Sequence, residues 1–287
     1  MADPWTIRRV VSWSAEDFAG RGIATARLDA ELVVAQALGI DRVRVYMELD
    51  RPLTSDELAA IRALVARRRK YEPIAYILGR KEFYGRAFEV GPAVLVPRPE
   101  TELVVERALA LLPEGSEARV LDLCTGSGAI AVSIAAERPR VQVDATDVSE
   151  GALELAGRNA LAHGVSERLR LLQGDLFVAL DRDARYSLVV ANPPYIVDAE
   201  VASLSPDVAS WEPHLALAGG PDGLSLVRRI VEGAPRVLEP GGSLVFEIGK
   251  GQAPGVLALL TTPVWAEARA YQDLARIERV VEARLAG

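Results

Sequence analysis

The sequence of 287 residues has few of the side chains that build disulfides and metal sites. It contains one cysteine, Cys124, and two histidines, His163 and His214. A single cysteine excludes an intramolecular disulfide and any cysteine-rich zinc site, so we expect no metal. Aromatic residues make up only 6% of the chain, but 50% of the residues are hydrophobic and 25% are charged, which is typical of a globular protein.

Long apolar runs and positive charge are also scarce. No segment approaches the roughly 18 uninterrupted apolar residues of a membrane span, and the first residues lack the basic-then-apolar pattern of a signal peptide. We therefore expect a cytoplasmic protein that does not bind membranes. A formal net charge of −7 argues against direct binding of nucleic acid. Residues 1–90 are mildly basic, and their basic run 67–70 is predicted to be a solvated helix face or, alternatively, a docking site for a partner.

In the first quarter of the chain, apolar residues recur at the spacing of amphipathic helices. Gly39 is placed to end one helix, and Thr54 with Glu57 forms a capping-box pattern that opens another. Residues 1–72 are therefore predicted to form a small all-helical domain. Residues 73–98 are rich in aromatic, β-branched, glycine and proline residues, and are predicted to form a hairpin or linker.

From residue 119 onward the pattern alternates between strands and helices. Helices are predicted at 129–137 and 149–163, and strands at 119–124, 141–146, 169–173, 186–191, 243–248, 264–271 and 277–283. Short apolar strands separated by helices indicate a parallel sheet covered on both faces, so residues 99–287 are predicted to form an α/β domain. Ligands of such sheets bind outside the carboxyl ends of the strands, so functional residues are expected there.

The first of these strands runs into a glycine-containing loop, Cys-Thr-Gly-Ser-Gly, at residues 124–128. Gly126 and Gly128 allow a tight turn and a close approach of the backbone to a ligand. Asp147 ends the next predicted strand, where a carboxylate can accept hydrogen bonds from both ribose hydroxyls. These features predict a nucleoside cofactor, but the loop alone fits NAD and S-adenosylmethionine equally well.

A stiff loop, Asn192-Pro193-Pro194-Tyr195, follows the predicted strand 186–191. Its two prolines restrict the backbone and provide no amide donors, so the loop is suited to hold hydrogen-bond acceptors in place. A planar NH2 group can donate one hydrogen to the Asn192 side-chain oxygen and the other to the Pro193 carbonyl, while the Tyr195 ring packs on its face. The loop therefore predicts a site for an amide or an exocyclic amine.

In this position, Asn-Pro-Pro-Tyr resembles the loop of amino-methyltransferases that use S-adenosylmethionine, a group that includes adenine-N6 DNA enzymes and protein glutamine-N5 enzymes. Residues 94–103, Val-Leu-Val-Pro-Arg-Pro-Glu-Thr-Glu-Leu, resemble a segment of the release-factor glutamine methyltransferases, the HemK/PrmC family. Ribosomal-protein glutamine methyltransferases carry a different sequence in place of this Pro-Glu-Thr-Glu. Residues 211–217, 273–274 and 278–280 also fit the release-factor family, so the resemblance covers essentially the whole chain.

The resemblance implies a Rossmann-like, seven-stranded class I methyltransferase sandwich after the helical domain. It implies that S-adenosylmethionine is bound by Cys124, Thr125, Gly126, Ser127, Gly128, Asp147, Leu176 and Asn192. It also assigns the substrate amide to Asn192, Pro193, Pro194 and Tyr195, with Asn192, Pro193 and Tyr195 as the catalytic residues.

Two positions depart from the family pattern. Cys124 replaces the loop's usual first glycine, so we expect its backbone to avoid positive φ. We expect its side chain to be a small buried residue rather than a nucleophile. Leu176 stands where an aromatic residue is often found, and we expect it to cover the adenine by apolar contact.

The resemblance implies a methyl transfer to N5 of the glutamine in the Gly-Gly-Gln motif of class I peptide-chain release factors, which modulates translation termination. We expect a monomer that docks its protein substrate on residues 1–72.

The alternatives to this function are a ribosomal-protein glutamine methyltransferase, an adenine-N6 DNA methyltransferase, a nicotinamide-dependent oxidoreductase and a non-enzymatic release-factor-binding module. The acidic net charge argues against the DNA enzyme.

Overall fold

The computed structural model describes residues 4–287, which divide into two compact units. The helical unit contains the described residues up to Arg80 together with Ser205–Trp211, and the sheet unit contains Lys81–Leu204 and Glu212–Gly287. None of the helices in the described range combines the length and the apolar character needed to cross a bilayer.

The helical unit packs its helices around a core of aliphatic side chains and Phe18. Its helices are α1 (Ile7–Gly20), α2 (Ala26–Leu38), α3 (Arg42–Met47), α4 (Ser55–Arg68), α5 (Ile74–Leu78) and, in the later segment, α9 (Pro206–Ala209). Gly39 ends α2 with a left-handed backbone, and Thr54 and Glu57 form both hydrogen bonds of the capping box at α4. Both predicted helix boundaries are confirmed.

One residue of the basic run 67–70 departs from the predicted solvated face. Arg68 is 3% exposed, and its guanidinium donates to the Asp29 carboxylate at 2.7 Å and to the Glu72 carbonyl at 3.0 Å. The segment that contains α9 also contacts this end of α4. Trp211 donates its indole N–H to the Lys70 carbonyl at 3.0 Å. Part of the basic run 67–70 therefore stabilises the helical unit and is not solvated.

Residues 73–98, expected to form a hairpin or linker, contain α5 followed by a two-stranded hairpin, β1 (Arg80–Phe83) and β2 (Arg86–Glu89). The rest of the sheet unit is a seven-stranded sheet in the order β5-β4-β3-β6-β7-β9-β8. Its strands are β3 (Arg119–Leu123), β4 (Gln142–Asp147), β5 (Leu169–Gln173), β6 (Tyr186–Ala191), β7 (Leu238–Glu247), β8 (Trp265–Gln272) and β9 (Glu278–Leu285).

The sheet is covered by helices, as its apolar strands predict. The helices of this unit are α6 (Glu102–Leu111), α7 (Ala129–Glu137), α8 (Glu150–Ala162), α10 (Ser225–Gly233) and α11 (Ala253–Leu259). One buried cluster contains residues of α6, α7 and α8, and a second contains residues of α10 and α11. The predicted α/β class with a preceding helical region is confirmed.

The last strand differs from the parallel sheet that the pattern predicts. β9 runs antiparallel to both β7 and β8. The chain between β8 and β9 is a short turn, closed by a hydrogen bond from the Ile277 amide to the Asp273 carboxylate at 2.9 Å. Such a short connection joins antiparallel strands only, because parallel neighbours need a long crossover.

Candidate active site

Three strand ends meet at one edge of the sheet. Leu123 of β3 is paired with Thr146 of β4 on one side and with Ala191 of β6 on the other. The residues that follow these three positions in the chain, Cys124, Asp147 and Asn192, therefore emerge side by side. This is also the point where the chain changes direction across the sheet, which is where ligands bind in doubly wound folds.

A cavity of about 330 Å³ lies at this edge, within the size range of small-molecule sites. Of the predicted site residues, eight line it: Cys124, Thr125, Gly126, Ser127, Asp147, Leu176, Asn192 and Pro194. Gly128, Pro193 and Tyr195 are not part of the cavity wall. The wall also includes residues to which the sequence assigned no role, among them Ala93, Leu95, Thr101, Val148, Pro213, Leu215 and Arg229.

The loop after β3 is fixed by hydrogen bonds to the end of β4. The Thr125 amide donates to the Thr146 carbonyl at 3.0 Å. The Asp147 carboxylate accepts from the Gly126 amide and from the Ser149 amide, each at 2.9 Å. These two bonds orient the carboxylate, which remains on the cavity wall, so its position fits a ribose ligand.

The same loop is held from outside by α8. Asn159, which is 1% exposed, donates from Nδ2 to the Ser127 carbonyl at 2.9 Å. Gly128 is the N-cap of α7 with φ of +78°, and a Cβ on it would lie 3.1 Å from Cβ of Ala156. Glycine is therefore favoured here both by the backbone conformation and by the close approach of α8.

The expectation that the backbone of Cys124 avoids positive φ is wrong. Its φ is +58°, and that of Leu176 is +52°, so both non-glycine residues are left-handed. The chain must turn off the end of β3 in one residue for the Thr125 amide to reach β4, and that turn uses the conformation for which glycine is the usual residue. A left-handed backbone costs a non-glycine residue about 1–2 kcal/mol. Backbone strain of this kind is concentrated at functional sites.

The side chains at both of these positions, Cys124 and Leu176, line the cavity. Leu176 is 5% exposed. The Cys124 thiol is partly buried, and burial, together with the nearby carboxylates of Asp147 and Asp122, raises its pKa above the ordinary value. A raised pKa keeps the thiol protonated at neutral pH, which disfavours a nucleophilic role.

Asp122 lies on β3, two residues before the loop 124–128, and is fully buried. Its carboxylate accepts a hydrogen bond of 2.6 Å from the Thr125 hydroxyl. Burial raises the pKa of Asp122 to about 7, despite the opposing hydrogen bonds from Thr125 and the Ala131 amide. The carboxylate that supports the loop therefore titrates near neutral pH.

The Asn-Pro-Pro-Tyr loop is fixed on both sides of its prolines. Asn192 donates from Nδ2 to the Thr101 hydroxyl at 3.1 Å. The Tyr195 hydroxyl donates to the Glu247 carboxylate at 2.9 Å, and the Tyr195 carbonyl accepts from the Gln252 side chain at 2.9 Å. Burial and the Glu247 charge raise the pKa of the Tyr195 phenol, so the phenol remains a hydrogen-bond donor. These contacts hold Asn192 at the cavity wall.

A glycine-rich stretch packs closely against this loop. A Cβ on Gly223, whose φ is +74°, would lie 2.4 Å from the Tyr195 carbonyl oxygen. The Ile196 amide donates to the Leu217 carbonyl at 3.0 Å, and the Gly219 amide donates to the Ile196 carbonyl at 2.8 Å. This support was not predicted from the sequence, although the Gly-Gly-Pro-Asp-Gly run at 219–223 is a visible turn signal.

Glu247 is another residue of the site that was not predicted from the sequence. It ends β7, is 1% exposed, and accepts hydrogen bonds from Thr101 and Tyr195. Burial raises its pKa, whereas the two hydrogen bonds and the positive charge of Arg279 act in the opposite direction. A carboxylate at the end of an apolar strand is the signal that could have identified it.

Comparisons with known proteins agree with this architecture. Two family models match the chain, the PrmC N-terminal domain over residues 9–79 and the methyltransferase small domain over residues 101–206. Among solved structures, a methyltransferase from Pyrococcus furiosus has a TM-score of 0.54 at 18% identity, over 77% of this chain and 98% of that chain, and thus shares the fold.

Curated relatives match over nearly their full lengths. A release factor glutamine methyltransferase of Geobacter sulfurreducens is 47% identical over 281 residues, which cover 98% of this chain and 97% of that protein. A relative of the same name from Cereibacter sphaeroides is 44% identical over 93% of this chain and 94% of its own length. The family predicted from residues 94–103 and 192–195 is therefore confirmed: the chain belongs to the release factor glutamine methyltransferases.

Proposed function

We propose that this protein methylates N5 of the glutamine in the Gly-Gly-Gln motif of class I peptide-chain release factors, with S-adenosylmethionine as the methyl donor, and thereby modulates translation termination. The observation that carries the proposal is the position of Asn192. Its side chain lies on the wall of the same cavity as the glycine loop and Asp147. A site for an amide and a site for a nucleoside are thus adjacent.

The cavity residues fit S-adenosylmethionine, which supplies an electrophilic methyl group when it is bound. Residues 124–128 would follow the cofactor with their backbone, and Asp147 would accept hydrogen bonds from the ribose hydroxyls. Leu176 would cover one face of the adenine. The Asp147 carboxylate is already oriented by two backbone amides, so little reorganisation is required when a ribose binds.

The Asn-Pro-Pro-Tyr loop would act on the glutamine amide. Resonance draws the lone pair of an amide nitrogen into its carbonyl, so the site has to favour a nucleophilic nitrogen. Acceptors at the Asn192 side-chain oxygen and the Pro193 carbonyl would bind both amide hydrogens and stabilise the positive charge that develops on nitrogen. Nitrogen would form its bond to carbon as the carbon–sulfur bond breaks, and one amide proton would leave to solvent.

We propose that the helical unit docks the release factor. We also propose that the protein acts in the cytoplasm and as a monomer. Its α3 presents exposed apolar side chains, with Val43 68% and Met47 79% exposed. Exposed apolar groups of this kind are common in protein interfaces. The mildly basic charge of residues 1–90 suits an acidic partner face.

The test combines the purified protein, labelled S-adenosylmethionine and a class I release factor, followed by mass spectrometry of the Gly-Gly-Gln peptide. We expect a gain of one methyl group on the glutamine. A release factor with alanine at that glutamine is the matched substrate control. Asn192→Ala is expected to lose most turnover while the fold stays intact, because the substrate acceptor is removed.

Different failures lead to different conclusions. If the wild-type protein binds S-adenosylmethionine but leaves the release factor unmodified, the proposed substrate is wrong, and the ribosomal-protein and adenine alternatives are tested next. If it does not bind the cofactor, the non-enzymatic binding module is favoured. Wild-type turnover by Asn192→Ala would refute the role of the amide clamp alone.

A further inference from the structure

The buried carboxylate of Glu247 is hydrogen-bonded to two residues of the site from one strand end. Its Oε2 accepts from the Thr101 hydroxyl at 2.5 Å, and its Oε1 accepts from the Tyr195 hydroxyl at 2.9 Å. Thr101 is also buried, at 4% exposed, and lies on the cavity wall. The proposed function gives neither Glu247 nor Thr101 a role.

The Thr101 hydroxyl determines which way the Asn192 amide is turned. A hydroxyl has one proton to donate, and here that proton is directed to Glu247. Towards Asn192 the Thr101 oxygen can therefore only accept, so it selects the NH2 side of the amide, at 3.1 Å. Within residues 4–287, no group donates a hydrogen bond to Asn192 Oδ1.

We infer that Glu247 and Thr101 are positioning residues that fix the Asn192 side-chain amide so that its oxygen is available to the substrate. The inference rests on the proposed function, in which Asn192 accepts a hydrogen from the glutamine NH2 group. With its amide rotated by 180°, Asn192 would present donors to donors and lose the acceptor. A bond between a hydroxyl and a buried carboxylate is charge-assisted, which makes the arrangement rigid.

The orientation can be measured on the protein without a substrate. The sequence contains only two asparagines, Asn159 and Asn192, so selective labelling of asparagine with nitrogen-15 gives two pairs of side-chain NH2 signals. In Thr101→Val, which keeps the shape but lacks the hydroxyl, we expect the Asn192 amide protons to exchange at least tenfold faster. Thr101→Ser should restore slow exchange. Asn159, bonded to the Ser127 and Glu89 carbonyls, is the internal control and should not change.

The kinetic counterpart uses the same variants with the release factor. A misoriented catalytic group commonly reduces rates about 10- to 100-fold, so kcat of Thr101→Val should fall by that factor while the Kd for S-adenosylmethionine stays within about twofold. Thr101→Ser should remain close to wild type. Glu247→Gln should lower kcat in the same direction, because its amide can no longer direct the Thr101 proton uniquely.

Several results would overturn the inference. Equal exchange of the Asn192 amide in wild type and Thr101→Val would show that the hydroxyl does not hold it. A loss of cofactor binding in Thr101→Val, or an equal loss of kcat in Thr101→Ser, would assign Thr101 a different role. Wild-type behaviour of Glu247→Gln would remove the carboxylate from the arrangement. If the wild-type protein does not methylate the release factor, the exchange measurement still tests the orientation, so the two failures are distinguishable.

Discussion

Ionisation of Asp122 should make the sheet unit less stable as pH rises towards neutrality. The ordinary pKa of an aspartate carboxyl group is 3.8, and burial beneath the cofactor loop raises the pKa of Asp122 to about 7. Between these values the folded protein holds a proton that the unfolded chain has released. The free energy of unfolding therefore decreases as pH rises, because the unfolded state binds fewer protons.

The magnitude follows from the difference between the two pKa values. Each pH unit within the window changes the unfolding free energy by up to about 1.4 kcal/mol for a single group. Between pH 5 and pH 8 the Asp122 contribution is expected to decrease by about 2.5 kcal/mol. Asp122→Asn keeps an oxygen that can accept from the Thr125 hydroxyl but cannot ionise. The free energy of unfolding of Asp122→Asn, relative to that of wild type, should therefore increase by about 2.5 kcal/mol from pH 5 to pH 8.

The assay is urea unfolding followed by circular dichroism at pH 5, 6, 7 and 8. Asp144→Asn is the matched control on the adjacent strand β4. Burial of Asp144 favours its neutral form, but hydrogen bonds from Arg170 and Tyr186 and the positive charge of Arg170 outweigh burial and lower its pKa. The effect of that substitution should be constant from pH 5 to pH 8. A constant difference between wild type and Asp122→Asn would refute the reasoning about Asp122.

Two further predictions concern the loop support and the docking surface. Gly223→Ala should destabilise the protein by about 1–3 kcal/mol more than Gly22→Ala, because its Cβ would overlap the backbone of the Asn-Pro-Pro-Tyr loop, whereas Gly22 has the same left-handed backbone in open space. Equal unfolding midpoints for the two variants would contradict this. Val43→Asp and Met47→Asp should each raise KM for the full release factor several-fold and leave KM for a short Gly-Gly-Gln peptide unchanged. Unchanged KM for both substrates would exclude docking on α3.

Much of the fold could be predicted because its signals are local. The capping box at Thr54 and the left-handed Gly39 each depend on residues within one helical turn, and both are present. The predicted limits of β3 to β6 agree with the structure to within one residue, whereas β7 begins at Leu238, five residues before the predicted strand 243–248. The direction of β9 was not visible, because an apolar strand has the same composition in a parallel and in an antiparallel pair. Only the short turn before it indicates the direction.

The basic run 67–70 shows where local signals are insufficient. All four residues have the composition of a solvated helix face, yet Arg68 is buried against Asp29, with side chains 4% and 1% exposed. Asp29 lies 39 residues earlier, on α2. Arg68 can be buried because it pairs with an opposite charge on another helix. The periodicity of the run gives no information about that pair.

The candidate site divides in the same way. Asp147 and Asn192 were identified because each follows a predicted strand, and the pairing of Leu123 with both neighbouring strands brings them together. Thr101 and Glu247 lie 91 and 55 residues from Asn192 and share no motif with it. Thr101 lies within the Pro-Glu-Thr-Glu segment that indicated the family, but that segment did not indicate its contact with Asn192. A motif identifies the residues that would contact the ligands. The residues that orient those groups come from distant parts of the chain, Thr101 from the turn before α6 and Glu247 from the end of β7. The orientation of Asn192, on which the proposed chemistry depends, could therefore be deduced only after the structure placed the Thr101 hydroxyl between an amide and a carboxylate.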